Sequence, residues 1–267
     1  MNKIIVENDT IKEVQLDQAL SLDFVEKNEL FDVSSLKIVV TESTNLEIDY
    51  LGLEEHKLDI FINVEAGIHF NLFEIRTGSK TKVQYKYHLD VDSQTTVNKF
   101  YDCDAVKELD IINLNGPHAR FNYHFKTISK NKEKYDMMVY HNSEKTISQI
   151  DNKGVNLLDG KLQFTVTSIV PSHTPGCIVN QSGRIVTLNS NECLINPNLL
   201  IEENDIEASH SALIGKFSDE ELFYMMSRGI NHEAAINLLT KGFLLGELSV
   251  RPERNEEINK IIDKYWR

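Results

Sequence analysis

Leu58-Asp59-Ile60-Phe61-Ile62-Asn63-Val64, then Glu65-Ala66-Gly67, then Ile68-His69-Phe70-Asn71-Leu72-Phe73-Glu74-Ile75 set the texture of this chain. Apolar and polar residues alternate, which is the period of a strand with one covered face. A break at Thr77-Gly78-Ser79 precedes a third run, Val83-Gln84-Tyr85-Lys86-Tyr87-His88-Leu89. The texture returns at Leu109 to Leu114, Arg120 to Phe125, Lys161 to Ile169 and Arg184 to Leu188. The region from 40 to 200 holds no long helical window.

About 170 residues of short strands admit a sandwich, a barrel or a solenoid. No strict motif repeats, so periodicity alone leaves all three open. Asn115-Gly116 and Asp159-Gly160 are the two Asn-Gly or Asp-Gly pairs between runs, which is sparse for a meander of hairpins.

Near residue 217 the period becomes helical. Ser218-Asp219-Glu220-Glu221 has the form of a capping box, and Leu222, Phe223 and Met226 follow as an apolar face. Gly229 stands where a left-handed residue ends a helix. Asn231 can cap a second helix carrying Ala235, Leu238 and Leu239 and ended by Gly242. Ile258, Ile261, Ile262, Tyr265 and Trp266 make one stripe on a third helix entered at Pro252. Helices this short must dock on the strand domain, on a partner, or on both. The expected division is a strand domain over 1–216 and a helical domain over 217–267.

The chain of 267 residues carries 28 Lys and Arg against 41 Asp and Glu, a net charge of −13. That field repels a phosphate backbone unless cations are concentrated somewhere. The longest basic run, Lys126 to Lys134, is diluted by Thr127, Ser129 and Glu133 and reads as a solvated turn. No nucleic-acid partner is therefore expected. Met1 to Asp9 has no apolar run of signal-peptide length, and nothing approaches the ~20 apolar residues of a membrane span. Three cysteines at no framework spacing point to a reducing, cytoplasmic compartment.

His173 and Cys177 have a ligand-like spacing within His-Thr-Pro-Gly-Cys, a weak metal candidate because one pair does not complete a site. Cys103 and Cys193 read as small buried apolar residues. Asp102 and Asp104 flank Cys103 and should raise its thiol pKa by repulsion, which argues against a nucleophile. The sequence contains no Gly-x-Ser-x-Gly elbow, phosphate loop, His-Glu-x-x-His or Gly-x-Gly-x-x-Gly, so no enzyme is expected and no nucleotide is expected to bind here. Asp59 and Asn63 on one strand face leave a carbohydrate-active β-helix enzyme as a remote alternative.

Asp205-Ile206-Glu207-Ala208-Ser209-His210-Ser211-Ala212-Leu213-Ile214-Gly215 leads into Leu222-Phe223-Tyr224-Met225-Met226-Ser227-Arg228-Gly229-Ile230. This resembles the SufB/SufD family, in which a Ser-His-Gly-Ala-Thr-x-Gly stretch precedes Leu-Phe-Tyr-Leu-x-Ser-Arg-Gly-Ile. Gln181, Pro197, Leu199 and Ile201 fall on the family's upstream Gln and Pro-x-Leu-x-Ile positions. Ala235, Leu238, Leu239 and Gly242-Phe243 match its Ala-x-x-Leu-Leu-x-x-Gly-Phe ending, and His141 to Leu158 with Lys153-Gly154-Val155 is similar to its preceding segment. The resemblance covers residues 140 to 245.

The resemblance implies a right-handed parallel β-helix (a solenoid) followed by a small helical domain. It implies a cytoplasmic scaffold of iron–sulfur cluster assembly, working with the ABC-type ATPase SufC and with a SufB paralogue or a second copy of itself. His210 would stand at the protomer interface where a transient cluster forms. Leu222, Phe223, Tyr224, Arg228 and Gly229 would face the ATPase, although Leu222, Phe223 and Tyr224 read from the residues alone as core and Arg228 as a carbonyl-binding cap.

Departures are visible. The strand-like start leads to the expectation that the family's long N-terminal helical region is missing, Ser211 and Leu213 replace its usual Gly and Thr, and Gly183 stands where B-type members carry a cysteine. The last makes the chain more D-like. The alternative is a non-catalytic interaction or stabilising subunit that has lost cluster chemistry.

Overall fold

Thr44, Phe70, Thr95, Phe121, Ser148, Val179 and Ala208 stack one above another across neighbouring parallel strands. Each is one turn of chain from the last, and in the computed structural model these turns build a β-solenoid of about six turns. The structure describes residues 2–8, 10–25, 34–53, 56–157, 160–188, 192–246, 248 and 250–266.

Two parallel faces share the coil. The first stacks β1 (Asn2–Glu7), β5 (Thr44–Leu53), the leading half of β7 (His69–Leu89), the leading half of β8 (Gln94–Leu114), β9 (Arg120–Ser129), β11 (Ile147–Asn156), β13 (Cys177–Thr187) and β15 (Ile206–Gly215). The second stacks β4 (Ser34–Val40), β6 (His56–Val64), the trailing halves of β7 and β8, β10 (Lys132–His141), β12 (Lys161–Val170) and β14 (Leu194–Ile201). At the N-terminal end β2 (Thr10–Gln15) and β3 (Leu20–Val25) pair antiparallel with β1 and β4 and cover the first rung.

The expected break at Thr77 to Ser79 is not a turn between strands. β7 runs unbroken through it from the first face to the second, with Gly78 at φ 149° where the strand bends. The true corners lie elsewhere. Gly67, Asp92, His118, Lys145 and Gly176 all take positive φ. The amide of each donates to a carbonyl of the next corner, to Val91, Pro117, Glu144, Pro175 and Asp205. Asn115-Gly116 belongs to this stack and makes no hairpin. A Cβ on Gly116 would meet the Val91 amide nitrogen at 2.0 Å, so only glycine allows the corners to approach. Asp159 of the other pair lies outside the described residues.

Alternation sends one parity of each strand inward. Leu36, Ile60, Tyr85, Asp110, Met137, Val166 and Pro197 stack on the second face, and aliphatic and aromatic side chains fill most of the interior around a set of buried charges. The outer side of the first face is also covered. Phe73, Ile75, Phe100, Ile128, Val155 and Val186 point out of the coil and are buried against Phe217, Leu244, Leu248, Ile258, Ile261 and Ile262. This second core is what docks the tail: α1 (Asp219–Ser227), α2 (His232–Leu245) and α3 (Pro252–Ile262), with one 3-10 turn over Asp263–Tyr265.

The capping box forms as read, with the Ser218 hydroxyl accepting from the Glu221 amide. Gly229 takes φ 85°, and the Asn231 side chain caps α2. Gly242 does not end that helix, which continues to Leu245 with Gly246 as its cap, because Phe243 and Leu244 still have apolar surface to meet.

Candidate functional site

The solenoid is closed at one end and open at the other. Strands β14 and β15 form the last rung, and each pairs with a neighbour along one edge only. β15 is exposed along nearly its whole length. Leu200 and Leu213 are 57% and 55% exposed, and Leu194 and Ile214 are exposed with them. Unpaired amides and carbonyls beside apolar side chains make an edge that another strand can extend.

His210 sits in the middle of that rung. It is in register with Gln181 of β13 and shares its parity, so it belongs to the inward row, yet it is exposed because no further turn covers it. Gln181 is buried, and its amide donates to the Ser168 hydroxyl at 2.8 Å and the Asn198 carbonyl at 3.1 Å. On the outward parity Ser209 donates to Asn180 at 2.7 Å and Ser211 lies 3.3 Å from Ser182. An exposed imidazole at an open strand edge is chemically able to accept a metal ion from outside the chain.

The other candidate ligands do not join it. Cys177 is fully buried, its thiol saturated by the Thr174 carbonyl at 3.1 Å, the Ser143 carbonyl at 3.4 Å and the Thr146 hydroxyl at 3.2 Å. His173 is an exposed corner residue with φ 69°. Among the described residues no group of three His, Cys, Asp or Glu side chains is placed to hold a metal ion. Cys103 is buried, and its thiol is pushed well up as expected, but the cause differs. Burial acts first and inward Glu133 adds repulsion ahead of Asp102.

The helical tail presents a second surface. Phe223 and Tyr224 are 74% and 60% exposed, and Met226 and Leu238 are exposed beside them. The reading of Phe223 and Tyr224 as core is therefore overturned: α2 and α3 supply the docking contacts, and α1 has no buried residue. Leu222 is half-buried. Among the described residues the Arg228 guanidinium binds no carbonyl and lies 5.2 Å over the Tyr224 ring, while its backbone amide closes α1 on the Met225 carbonyl. Exposed apolar side chains grouped on a short helix are the kind of surface that a protein partner can cover.

Alternation also carries charges into the coil. Glu74 and Arg76 share the inward parity of Phe70 and Leu72, and both are fully buried. The Arg76 guanidinium donates to Glu74 at 2.8 Å, and the Tyr101 hydroxyl lies 2.7 Å from both Glu74 and Glu108, with one proton to donate to either. One turn on, the Lys99 ammonium meets Glu108 at 2.7 Å and Asp110 at 3.3 Å. Burial alone would raise Glu74, but Arg76, Lys99 and the hydroxyls of Tyr85 and Tyr101 hold it below the ordinary range. Asp110 is pushed up to about 7 by burial, which Lys99 offsets only in part and which the neighbouring Glu108 charge reinforces. Glu133, further along, forms no ion pair among the described residues, and burial pushes it up to about 8 against the lowering by the Thr127 and Tyr135 hydroxyls and the Lys130 charge. The sequence reading missed this interior network, although the parity of Glu74, Arg76 and Lys99 with their apolar neighbours was its signal.

The model for the SUF system FeS cluster assembly SufBD core domain matches residues 34–243. The SufBD family protein PH1385 of Pyrococcus horikoshii is 47% identical over 68 residues, 25% of this chain and 15% of that protein. The iron-sulfur cluster assembly protein SufD of Bacillus subtilis is 39% identical over 69 residues, 25% of this chain and 16% of that protein. Protein ABCI7 of the Arabidopsis thaliana chloroplast aligns more widely, at 26% identity over 219 residues, 78% of this chain and 40% of that protein. The chain thus spans well under half the length of these relatives. With a matched core running from β4 into α2, an open last rung and an exposed helical patch, it belongs to the SufBD family of iron–sulfur cluster assembly proteins.

Proposed function

We propose that this chain is a scaffold subunit of a SUF-type iron–sulfur cluster assembly complex, not an enzyme, and that it works with an ABC-type ATPase of the SufC kind. The observation that carries this reading is the presence of two exposed surfaces, a strand edge and a helical patch, on one chain. An open strand edge bears His210, and a separate apolar patch bears Phe223 and Tyr224. A second SufBD protomer, a paralogue or another copy, would extend the edge of β15, and a transient cluster would form there against His210. The ATPase would hold the helical patch. Its nucleotide-driven movement would be transmitted through the second core to the first face.

A D-like role is favoured by Gly183. A Cβ there would meet the Ile195 Cγ2 atom at 2.7 Å, so a cysteine at this position would require Ile195 to move. Sulfur ligands would then come from the partner protomer. Among the described residues no helix is long and apolar enough to cross a membrane.

The test is co-purification of the full chain with the ATPase from the same genome. Wild type should retain the ATPase, and Phe223→Asp/Tyr224→Asp should lose it while unfolding at the same temperature. Equal retention by the variant would overturn the assignment of this surface.

A further inference from the structure

Lys57, Lys82, Lys107 and Lys134 are direct register neighbours on four adjacent strands of the second face. They are separated by a full turn of chain each time, so no linear scan brings them together. Their strand neighbours Leu58, Val83, Val106 and Glu133 are buried inside the coil. Alternation therefore turns all four lysines outward, about 4.8 Å apart from strand to strand. Two residues earlier on the same strands, Lys80 is exposed and Lys132 pairs in register with Lys161.

Folding does not need this column. Like charges on neighbouring strands oppose pairing, and the chain has an excess of carboxylates with which to separate them. Lys134 is held by Asp136 at 2.6 Å and Lys161 approaches Glu192 at 3.8 Å. Among the described residues Lys80, Lys82, Lys107 and Lys132 have no carboxylate within ion-pair distance. The rows alongside read Asp59, Gln84, Leu109, Asp136 and then Phe61, Lys86, Ile111, Met138, so the lysines border a partly apolar sheet face.

We propose that this lysine column is a docking surface for a carboxylate-rich segment of a partner protein. Nucleic acid fits it less well. The column has no arginine to bind phosphate in two contacts, and the Phe61 ring alongside it is already covered by the Lys86 ammonium at 5.1 Å. The field of a chain at −13 repels a long polyanion, whereas a short acidic segment feels the local cations within a Debye length of about 8 Å. Leu109, Ile111 and Met138 would meet the apolar side chains of such a segment.

The test is fluorescence anisotropy of a labelled oligoglutamate peptide with the full chain, with Lys82→Glu/Lys107→Glu, and with a charge-matched control, Lys12→Glu/Lys216→Glu. The peptide should bind wild type and control with an affinity that falls as salt rises, and lose about tenfold or more in the first variant. Circular dichroism melting should be the same for all three. Absent peptide binding, or equal binding by both variants, would overturn the proposal. So would a single-stranded oligonucleotide or an anionic vesicle that binds through Lys82 and Lys107 more tightly than the peptide does.

Discussion

The guanidinium of Arg254, on the last helix, donates to the carboxylate of Glu47, on the second strand of the first face, from Nε at 3.0 Å and Nη2 at 2.7 Å. The same group reaches Asp49 at 2.8 Å, and Arg251 adds three bonds to Glu47 from Nε and Nη2. The tail is thus clamped to the start of the solenoid by a nearly buried ion cluster, with the Arg254 guanidinium also lying 5.3 Å over Phe73. Burial alone would raise Glu47, but the two arginines hold it below the usual carboxylate range.

Arg254→Ala should destabilise the protein by about 2–4 kcal/mol, because it leaves Glu47 and Asp49 partly buried without their main cation. Thermal melting together with hydrogen exchange on α3 measures this, and the exchange gain should be concentrated in α3. Since the folded pKa of Glu47 is lowered, its contribution is present above the unfolded carboxylate pKa and fades as pH falls below it. The penalty of Arg254→Ala should therefore shrink in acid.

Removing the helices altogether is a different perturbation. A chain ending at Lys216 would uncover Phe73, Ile75, Phe100, Ile128 and Val155, a contiguous apolar strip on the first face. It should be recovered aggregated or with a strongly lowered melting temperature, whereas Phe223→Asp/Tyr224→Asp should be soluble. Light scattering of the two proteins distinguishes them. Equal solubility would mean that the second core contributes little.

Glu133 gives the interior a pH dependence of opposite sign. Its folded pKa of about 8 lies above the unfolded value, so the folded state binds the extra proton between them. Stability from this group is full below the unfolded carboxylate pKa and is lost as pH rises toward 8, at about 1.4 kcal/mol per pH unit. Glu133→Gln keeps an acceptor for the hydroxyls of Thr127 and Tyr135, both at 2.8 Å, and should flatten the decline of chemical-denaturation stability between pH 5 and 8. An unchanged slope would show that the proton is not held there.

Lys99→Met should be costly, on the order of 3–5 kcal/mol, since Glu108 and Asp110 would be left buried without their cation. Denaturant unfolding at neutral pH measures it. A double change of Lys99→Met with Asp110→Asn should recover part of the loss if the lysine's role is charge compensation.

Local alternation was enough to find strands, and the capping box at Ser218, the left-handed Gly229 and the Asn231 cap were legible because each depends on a few neighbouring residues. The coil itself was not legible from periodicity. Its corners carry Asp92, His118 and Lys145 in the left-handed region, where a glycine repeat would have been readable. Gly78 looked like a turn because a bend within a strand and a turn between strands use the same residue. His210 could be singled out from its motif, but its exposure depends on β15 being the last turn. The lysine column and the pairing of Arg254 with Glu47 lie beyond any local reading, since register across whole turns, or more than 200 residues of chain, brings them together.

The most direct test of the scaffold role is cluster yield on the complex assembled from full-length chain, its SufBD partner and the ATPase. It is followed by the visible absorption of the cluster and by iron and sulfide content, comparing wild type with His210→Ala. His210 is exposed, so the substitution should leave melting unchanged, and the expected result is loss of cluster with the complex still formed. An undiminished cluster yield on the His210→Ala complex would contradict the role given to the last rung and leave the chain as an interaction subunit.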